Sequence, residues 1–421
     1  MKFQDASKWD PYSDQPYVLV DKAVRSHIRR QSWFASIKLF ITNALVAPFV
    51  AIRYVLGSRT KDAVSVNGFF GMGISIDKAP EETRRMIGEL GVKKLLIRFP
   101  LAEMGRLDEY VDFVSSYSEH DILINVLQDR DHVESLDLLG RNLEAVFAKL
   151  GPLCQAFQIG NAVNRKKWAF FNMDEYLRFY QTAYRLRNEK FPDVVLAGPS
   201  VIDFEYHYTI RLLFNFFKIR YDKVSALLYV DRRGAPENKQ MGFSLKEKIN
   251  LQWAMQKLSP KCSDKIIITE TNWPLSGTAP HAPTSEQECV DEDTYATFMV
   301  RYHLMAIATG HVESVYWHQL IAPGYGLIDN REGILPYKGY AAYKTMLRVL
   351  DGAMFTSVSR NDGITTYTFT KGDKQVRVLW STCPRSMEAD SFKQVIRRDG
   401  ELETSSQLTI TGSPIYILSD A

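Results

Sequence analysis

Residues 94–128 read KLLIRFPLAEMGRLDEYVDFVSSYSEHDILINVLQ. Two runs rich in Leu, Ile and Val, Lys94–Phe99 and Ile122–Leu127, enclose Leu107–Tyr117, where apolar residues recur at every third or fourth position. Short apolar runs read as buried strands and the longer period as an amphipathic helix. Two buried strands joined through a helix run parallel. The same alternation extends both ways. It predicts strands over Val66–Ile76, Gln155–Gly160, Val194–Gly198, Val224–Val230, Lys265–Thr271 and Ser314–His318. Helices are expected over Glu81–Leu90, Val133–Leu150, Met173–Glu189, Ile210–Lys218, Ser244–Leu258, Asp291–Thr309 and Tyr337–Leu350. Eight strand–helix pairs between residues 66 and 350 fit an α/β fold of the closed (β/α)8 TIM-barrel type. An open doubly wound sheet usually has fewer strands.

Beyond residue 350 the pattern changes. Thr365–Thr370, Gln375–Trp380, Gln394–Arg397, Gln407–Thr409 and Ile415–Leu418 are short strands separated by turn signals such as Asn361-Asp362-Gly363 and Asp399-Gly400. The expected organisation is an N-terminal helical segment (1–62), a barrel (63–350) and a small antiparallel β domain (351–421).

Of the 421 residues 45% are hydrophobic and 24% charged, with a net charge of +3. Such a chain is neither disordered nor a polycation that coats nucleic acid. Cys154, Cys262, Cys289 and Cys383 are widely spaced and the eight histidines are scattered, with no CxxC or HExxH. The expectation is reduced thiols in the cytoplasm, with no metal and no cofactor. Gly68-Phe69-Phe70-Gly71-Met72-Gly73 departs from GxGxxG and suits close packing at the barrel wall better than phosphate binding.

Charge is unevenly placed. Residues 23–61 hold Arg25, Arg29, Arg30, Lys38, Arg53, Arg59 and Lys61 and no acid, a local charge of +7. Inside lies the uncharged run Leu39–Ile52, flanked by Trp33, Phe34 and Tyr54. Fourteen residues fall short of the roughly 20 that span a bilayer. A helix lying in the interface of the cytoplasmic membrane's inner face fits the pattern, and so does a helix packed on the barrel with solvated cations.

Barrel chemistry sits at the C-terminal ends of the strands. There the sequence offers Arg98 (LLIRFP), Asn125 and Gln128, Asn161 (AFQIGNAVNRKKW), Tyr229 with Asp231, Glu270 (KIIITETNWP), and Trp317 with His318 (SVYWHQ). Carboxylates and amides bind hydroxyls and flat rings stack on pyranose faces, so the set suits a saccharide. Trp168 and Trp273, just past their strands, either extend a stacking platform or belong to the core. Arg165-Lys166-Lys167 and Arg232-Arg233 are solvated loop charge, or they favour an acidic or phosphorylated saccharide. Glu270 follows a β-branched run, and a partly buried carboxylate needs a compensating neighbour. Arg98 can supply it, either for a nucleophile or as a structural ion pair.

From Val64 onward the chain resembles the retaining glycoside hydrolases that carry catalytic glutamates at the ends of strands four and seven, most nearly their xylosidase- and iduronidase-like branch. The motifs are the Arg of strand two, Ile159-Gly160-Asn161, Tyr229, Thr269-Glu270 and Trp317, with the terminal GSPIYILSD resembling that branch's C-terminal sheet. The resemblance implies Glu270 as nucleophile and Arg98 as its electrostatic partner. It implies further that Asn161 binds the 2-hydroxyl, Tyr229 hydrogen-bonds the nucleophile and Trp317 floors the sugar site; Trp273 and His318, from their strand-end places, complete the candidate substrate-binding set.

One position departs. Where the family reads I-G-N-E-x-N, this chain reads Ile159-Gly160-Asn161-Ala162-Val163-Asn164, and Ala162 stands in the acid/base position. An alanine donates no proton, and general acid–base catalysis typically contributes 10²–10⁴-fold. Three origins stand: an engineered substitution; a native residue with the acid supplied by Glu205, His207 or His318; or a barrel that has lost hydrolysis and serves as a glycan-binding pseudoenzyme or a scaffold in envelope polysaccharide synthesis. The sequence shows no tag or fusion scar, which favours a native Ala162. The expected function is a hydrolase-like enzyme acting on O-glycosidic bonds of a cell-surface poly- or oligosaccharide.

Overall fold

The computed structural model describes residues 7–18, 22–57, 63–230, 234–263, 265–388 and 394–420. Eight parallel strands close into a barrel: β1 Phe70–Ile74, β2 Lys94–Pro100, β3 Asp121–Leu127, β4 Ala156–Ile159, β5 Val195–Ile202, β6 Lys223–Leu227, β7 Ile266–Glu270 and β8 Val312–Trp317. Closure is made by β8 on β1, where Val315, Tyr316 and Trp317 pair with Phe70, Gly71 and Met72. All eight expected strands are present.

Alternation along the strands sorts the side chains. Leu96, Leu123, Ala156, Ala197, Ile267 and Tyr316, from six different strands, form one buried cluster that fills the lumen. Two residues further on, Arg98, Asn125, Gln158 and His318 occupy the same face one layer nearer the mouth. Gly71 makes the layer possible, because a Cβ there would meet the Tyr316 ring at 2.5 Å. Close packing thus accounts for this glycine.

The barrel helices cover the outside. In chain order the helices of the protein are α1 Lys22–Val55, α2 Pro80–Leu90, α3 Leu107–Ser115, α4 Arg130–Glu134, α5 Leu136–Leu150, α6 Met173–Lys190, α7 Tyr206–Leu213, α8 Leu245–Leu258, α9 Glu292–Thr309 and α10 Lys338–Leu350. Their starts are written in the sequence: Asn172 accepts from the Glu175 amide, Asp291 from the Thr294 amide, and Ser244 with Glu247 forms a capping box. The expected Val133–Leu150 helix is two pieces, since Ser135 leaves the helix to cap the second. The helix expected over Ile210–Lys218 lies earlier, at Tyr206–Leu213.

The C-terminal residues form an antiparallel sheet that also takes in Val64–Ser65, ahead of β1. Its strand Met354–Asn361, absent from the sequence reading, is exposed at almost every position and carries no apolar period. At the other end, Ser7–Asp10 and Gln15–Val18 form a hairpin before α1. Helix α1 is one continuous helix of 34 residues, and its part Ser32–Val55 is long and apolar enough to cross a membrane by length and composition. It is more than twice the length of the uncharged run, because Lys38 and Arg53 are accommodated inside it.

On the inner side of α9, His303 is fully buried among Phe70, Trp317 and Tyr343. Burial depresses its pKa from 6.5 to about 4. The unfolded chain therefore binds a proton that the folded chain refuses, and stability present above pH 6.5 is lost as the pH falls towards 4. The loss reaches about 3 kcal/mol. In urea titrations at several pH values, His303→Leu should show a shallower decline across that window than the unsubstituted protein.

Candidate active site

The mouth is organised around one buried pair. Arg98 Nη2 on β2 donates to Glu270 Oε2 on β7 at 2.6 Å, and the Tyr229 hydroxyl donates to Glu270 Oε1 at 2.9 Å. Strict alternation from Ile267 would turn Glu270 toward the helices. The register of β7 against β6 shifts between Ile268 and Glu270, and the carboxylate enters the mouth instead. Both side chains of the ion pair are about one-tenth exposed. Burial opposes the charge on Arg98, but Glu270 and then Asp14 outweigh it and raise its pKa. Burial first, and then the Glu270 carboxylate, push the Tyr229 phenol well above its ordinary value, so it stays a donor.

Asn161 lies below this pair in a buried amide cluster. Its Oδ1 accepts from Asn125 Nδ2 at 3.0 Å, its backbone amide donates to Gln128 Oε1 at 2.9 Å, and its Nδ2 has no partner among the described residues. His318 faces the mouth, stacked on Tyr325 with ring centres 5.5 Å apart. Burial, followed by the charge of Arg98, pushes its pKa well below 6.5, so it is a neutral ring and no proton reservoir at neutral pH. Ala162 is fully buried beside Leu127, Trp168 and Leu227, with Tyr229 packed against the group. An apolar contact stands where the resemblance requires an acid.

The tryptophans correct an expectation. Trp317 and Trp273 are 0% and 1% exposed and stack on one another, with ring centres 6.0 Å apart. Trp317 follows lumen-facing Tyr316, so alternation directs it at the helical layer, where its Nε1 donates to Tyr295 Oη at 2.6 Å. Neither ring offers a face to a sugar, and both belong to the core. Trp168 is the ring that reaches the mouth: it lines both clefts, and the Arg98 guanidinium lies 5.8 Å from its centre.

Nor do the proposed substitute acids stand ready. Glu205 lines the cleft but accepts from Asn164 Nδ2 and Arg165 Nη1, each at 2.7 Å. His207 sits on the first turn of α7, its carbonyl accepting from Asn43 of α1; burial lowers its pKa, against the pull of Glu205, so it is a neutral ring at neutral pH. Arg165 is committed to Asp203 and Glu205. Lys167 lines the cleft and donates to Gln15 Oε1 at 2.6 Å; burial lowers its pKa, against the pull of Glu270. Asp231 and Arg232-Arg233 lie outside the described residues.

What the sequence reading missed is the hairpin. Its tip enters the mouth: Arg98 Nη1 donates to the Asp14 carbonyl at 3.1 Å and to Asp14 Oδ2 at 3.3 Å, and Trp9 meets Trp168 edge-on. A second carboxylate thus shares the guanidinium that holds Glu270. The tip separates two clefts of about 720 and 520 Å³, and Asp14, Arg98, Lys167 and Trp168 line both. The turn signals of Asp10-Pro11-Tyr12-Ser13-Asp14 mark a hairpin, but nothing local tells where it docks.

No protein-family model matches the sequence, and no curated protein matches it either. Solved structures do match in three dimensions. A family 39 glycoside hydrolase from the gut symbiont Bacteroides cellulosilyticus WH2 superposes with a TM-score of 0.64 at 14% identity, over 83% of this chain and 80% of that one. A GH39 β-xylosidase from Caulobacter crescentus gives 0.60 at 12%, and a GH30 endoxylanase from Clostridium papyrosolvens C71 gives 0.58 at 12%; each covers 86% of this chain and 98% of its own. At these identities the likeness is one of fold: this chain has the barrel architecture of those glycoside hydrolases.

Removing one partner of a buried ion pair strands the other charge. Arg98→Met should therefore lower the unfolding free energy by roughly 3–5 kcal/mol. Arg98→Met combined with Glu270→Gln should recover much of that loss. Chemical denaturation of the two single variants and the double variant measures the coupling, and strictly additive losses would contradict the arrangement.

Proposed function

We propose that the chain is a glycoside hydrolase-like enzyme acting on O-glycosidic bonds of a cell-surface oligo- or polysaccharide, with Glu270 as nucleophile and no acid at position 162. The observation that carries this reading is the Arg98–Glu270–Tyr229 constellation at the C-terminal mouth of the barrel. Two donors fix the two carboxylate oxygens in place, as directed attack on an anomeric carbon requires.

The chemistry runs in two displacements. A Glu270 oxygen attacks the anomeric carbon and forms a glycosyl ester as the bond to the leaving oxygen breaks. That oxygen must depart as an anion and take its proton from solvent, because Ala162 gives none. Arg98 and Tyr229 hold the carboxylate in line. Water then attacks the same carbon, releases the sugar and frees Glu270; with no base at position 162, this step is slow unless the nucleophile is already anionic. The unpartnered Asn161 Nδ2 donor suits a ring hydroxyl.

Aryl glycosides with acidic phenol leaving groups should turn over while alkyl glycosides scarcely do. Azide should speed turnover by giving the glycosyl azide, and Glu270→Gln should abolish both. Ala162→Glu should raise turnover of alkyl glycosides 10²–10⁴-fold, the ordinary worth of a general acid. If no form releases phenol, and saccharide binding measured by calorimetry survives Glu270→Gln, the chain is a glycan-binding protein instead.

A further inference from the structure

Helix α1 is covered on one side only. Its inward face follows a helical spacing from Ser32 to Tyr54. Ser32 Oγ donates to the Phe171 carbonyl, Lys38 pairs with Asp174 at 2.7 Å, Asn43 Nδ2 donates to the His207 carbonyl at 2.9 Å, Val50 is buried and Arg53 lies over the Trp253 ring. On the opposite side Phe34, Ile37, Phe40, Ile41, Leu45, Phe49, Ile52 and Val55 are exposed, Phe40 at 74%. An uncovered apolar stripe of this length on a folded chain marks an interaction surface.

Charge names the occupant. Residues 23–61 carry seven Lys or Arg and no Asp or Glu; Lys38 and Arg53 are engaged with the barrel, Arg59 and Lys61 lie outside the described residues, and Arg30 is exposed one turn before Trp33. An apolar stripe with aromatic residues at its edge and a cationic stretch leading into it is complementary to an anionic lipid surface. Inward contacts from Ser32 to Arg53 run along about 32 Å of helix, at 1.5 Å per residue. A helix held to the barrel over that length cannot also cross the hydrocarbon core.

The contacts also fix the direction of the mouth. Phe171 and Asp174 lie where α6 begins, His207 where α7 begins, and Tyr54 meets Phe243 just before α8. These helix starts follow the C-terminal ends of β4, β5 and β6, so α1 passes beside the end of the barrel that holds the Glu270 mouth, while its Arg53 reaches Trp253 within α8. Only residues 19–21 separate α1 from the hairpin whose tip touches Arg98.

We propose that the outer face of Lys22–Val55 beds into an anionic lipid surface, with the helix parallel to it and the Glu270 mouth at the level of the headgroups. The docking stands independently of the hydrolase chemistry; that the substrate is a glycan held at a membrane rests on that reading.

Full-length protein is floated with vesicles of phosphatidylcholine alone, or of phosphatidylcholine with phosphatidylglycerol. The expected result is at least tenfold more protein on the anionic vesicles at low salt, falling as salt rises. Phe40→Ser/Leu45→Ser/Phe49→Ser should lower that binding at least tenfold while leaving aryl-glycoside turnover unchanged. If the triple variant is unfolded by circular dichroism, brominated lipids serve instead: they should quench fluorescence that Trp33→Phe removes. Absence of anionic binding, or binding that the triple variant retains while folded, overturns the proposal. So does protection of an N-terminal tag from protease outside sealed vesicles, which signals a spanning helix. A dimer that the triple variant dissociates, without vesicle binding, assigns the face to a second copy.

Discussion

The structure turns on one buried charge pair. Glu270 and Arg98 are 172 positions apart, on the seventh and second strands, and they meet only because the sheet closes on itself. A carboxylate so little exposed is costly without compensation. Here one oxygen takes a guanidinium nitrogen and the other a phenol. The lumen beneath is filled by an aliphatic and aromatic layer, and Gly71 yields the space for its largest member, Tyr316. Packing below and donors around leave the carboxylate in one position.

That position separates two tasks a retaining glycosidase combines. Glu270, the proposed nucleophile, is held by two donors, while the position the resemblance gives to a proton donor is an alanine packed among apolar side chains. The nearby histidine is kept neutral by burial, and the nearest strand-five glutamate is tied to Arg165 and Asn164. On the proposed reading, the constellation forms a glycosyl ester and expels a basic leaving group poorly. The hairpin adds a further constraint, because Asp14 takes Arg98 Nη1 while Glu270 takes Nη2.

Much of this was legible in the chain and some was not, for physical reasons. Strands, helices and the pairing of Arg98 with Glu270 are local patterns projected onto a repetitive architecture, so eight strand ends could be read as one rim. The Trp317 assignment failed because facing depends on parity: Tyr316 fills the lumen, and its neighbour must turn outward. Glu270 escaped the same fate through a register shift that no composition signals. Asp14, Gln15 and Trp9 were missed because a hairpin's docking place is a long-range property. Helix α1 was underestimated because the count stopped at charged residues, whereas Lys38 finds Asp174 and Arg53 finds Trp253 across the contact.

The central claim is that Glu270 forms the bond to the sugar. Incubation with 2-deoxy-2-fluoro glycosides bearing dinitrophenolate as leaving group, followed by intact-protein and peptide mass spectrometry, tests it most directly. The account predicts one added fluoroglycosyl mass, mapped to the peptide containing Glu270 and absent in Glu270→Gln. An adduct on Asp14 or Glu205, or one that persists in Glu270→Gln, would contradict it.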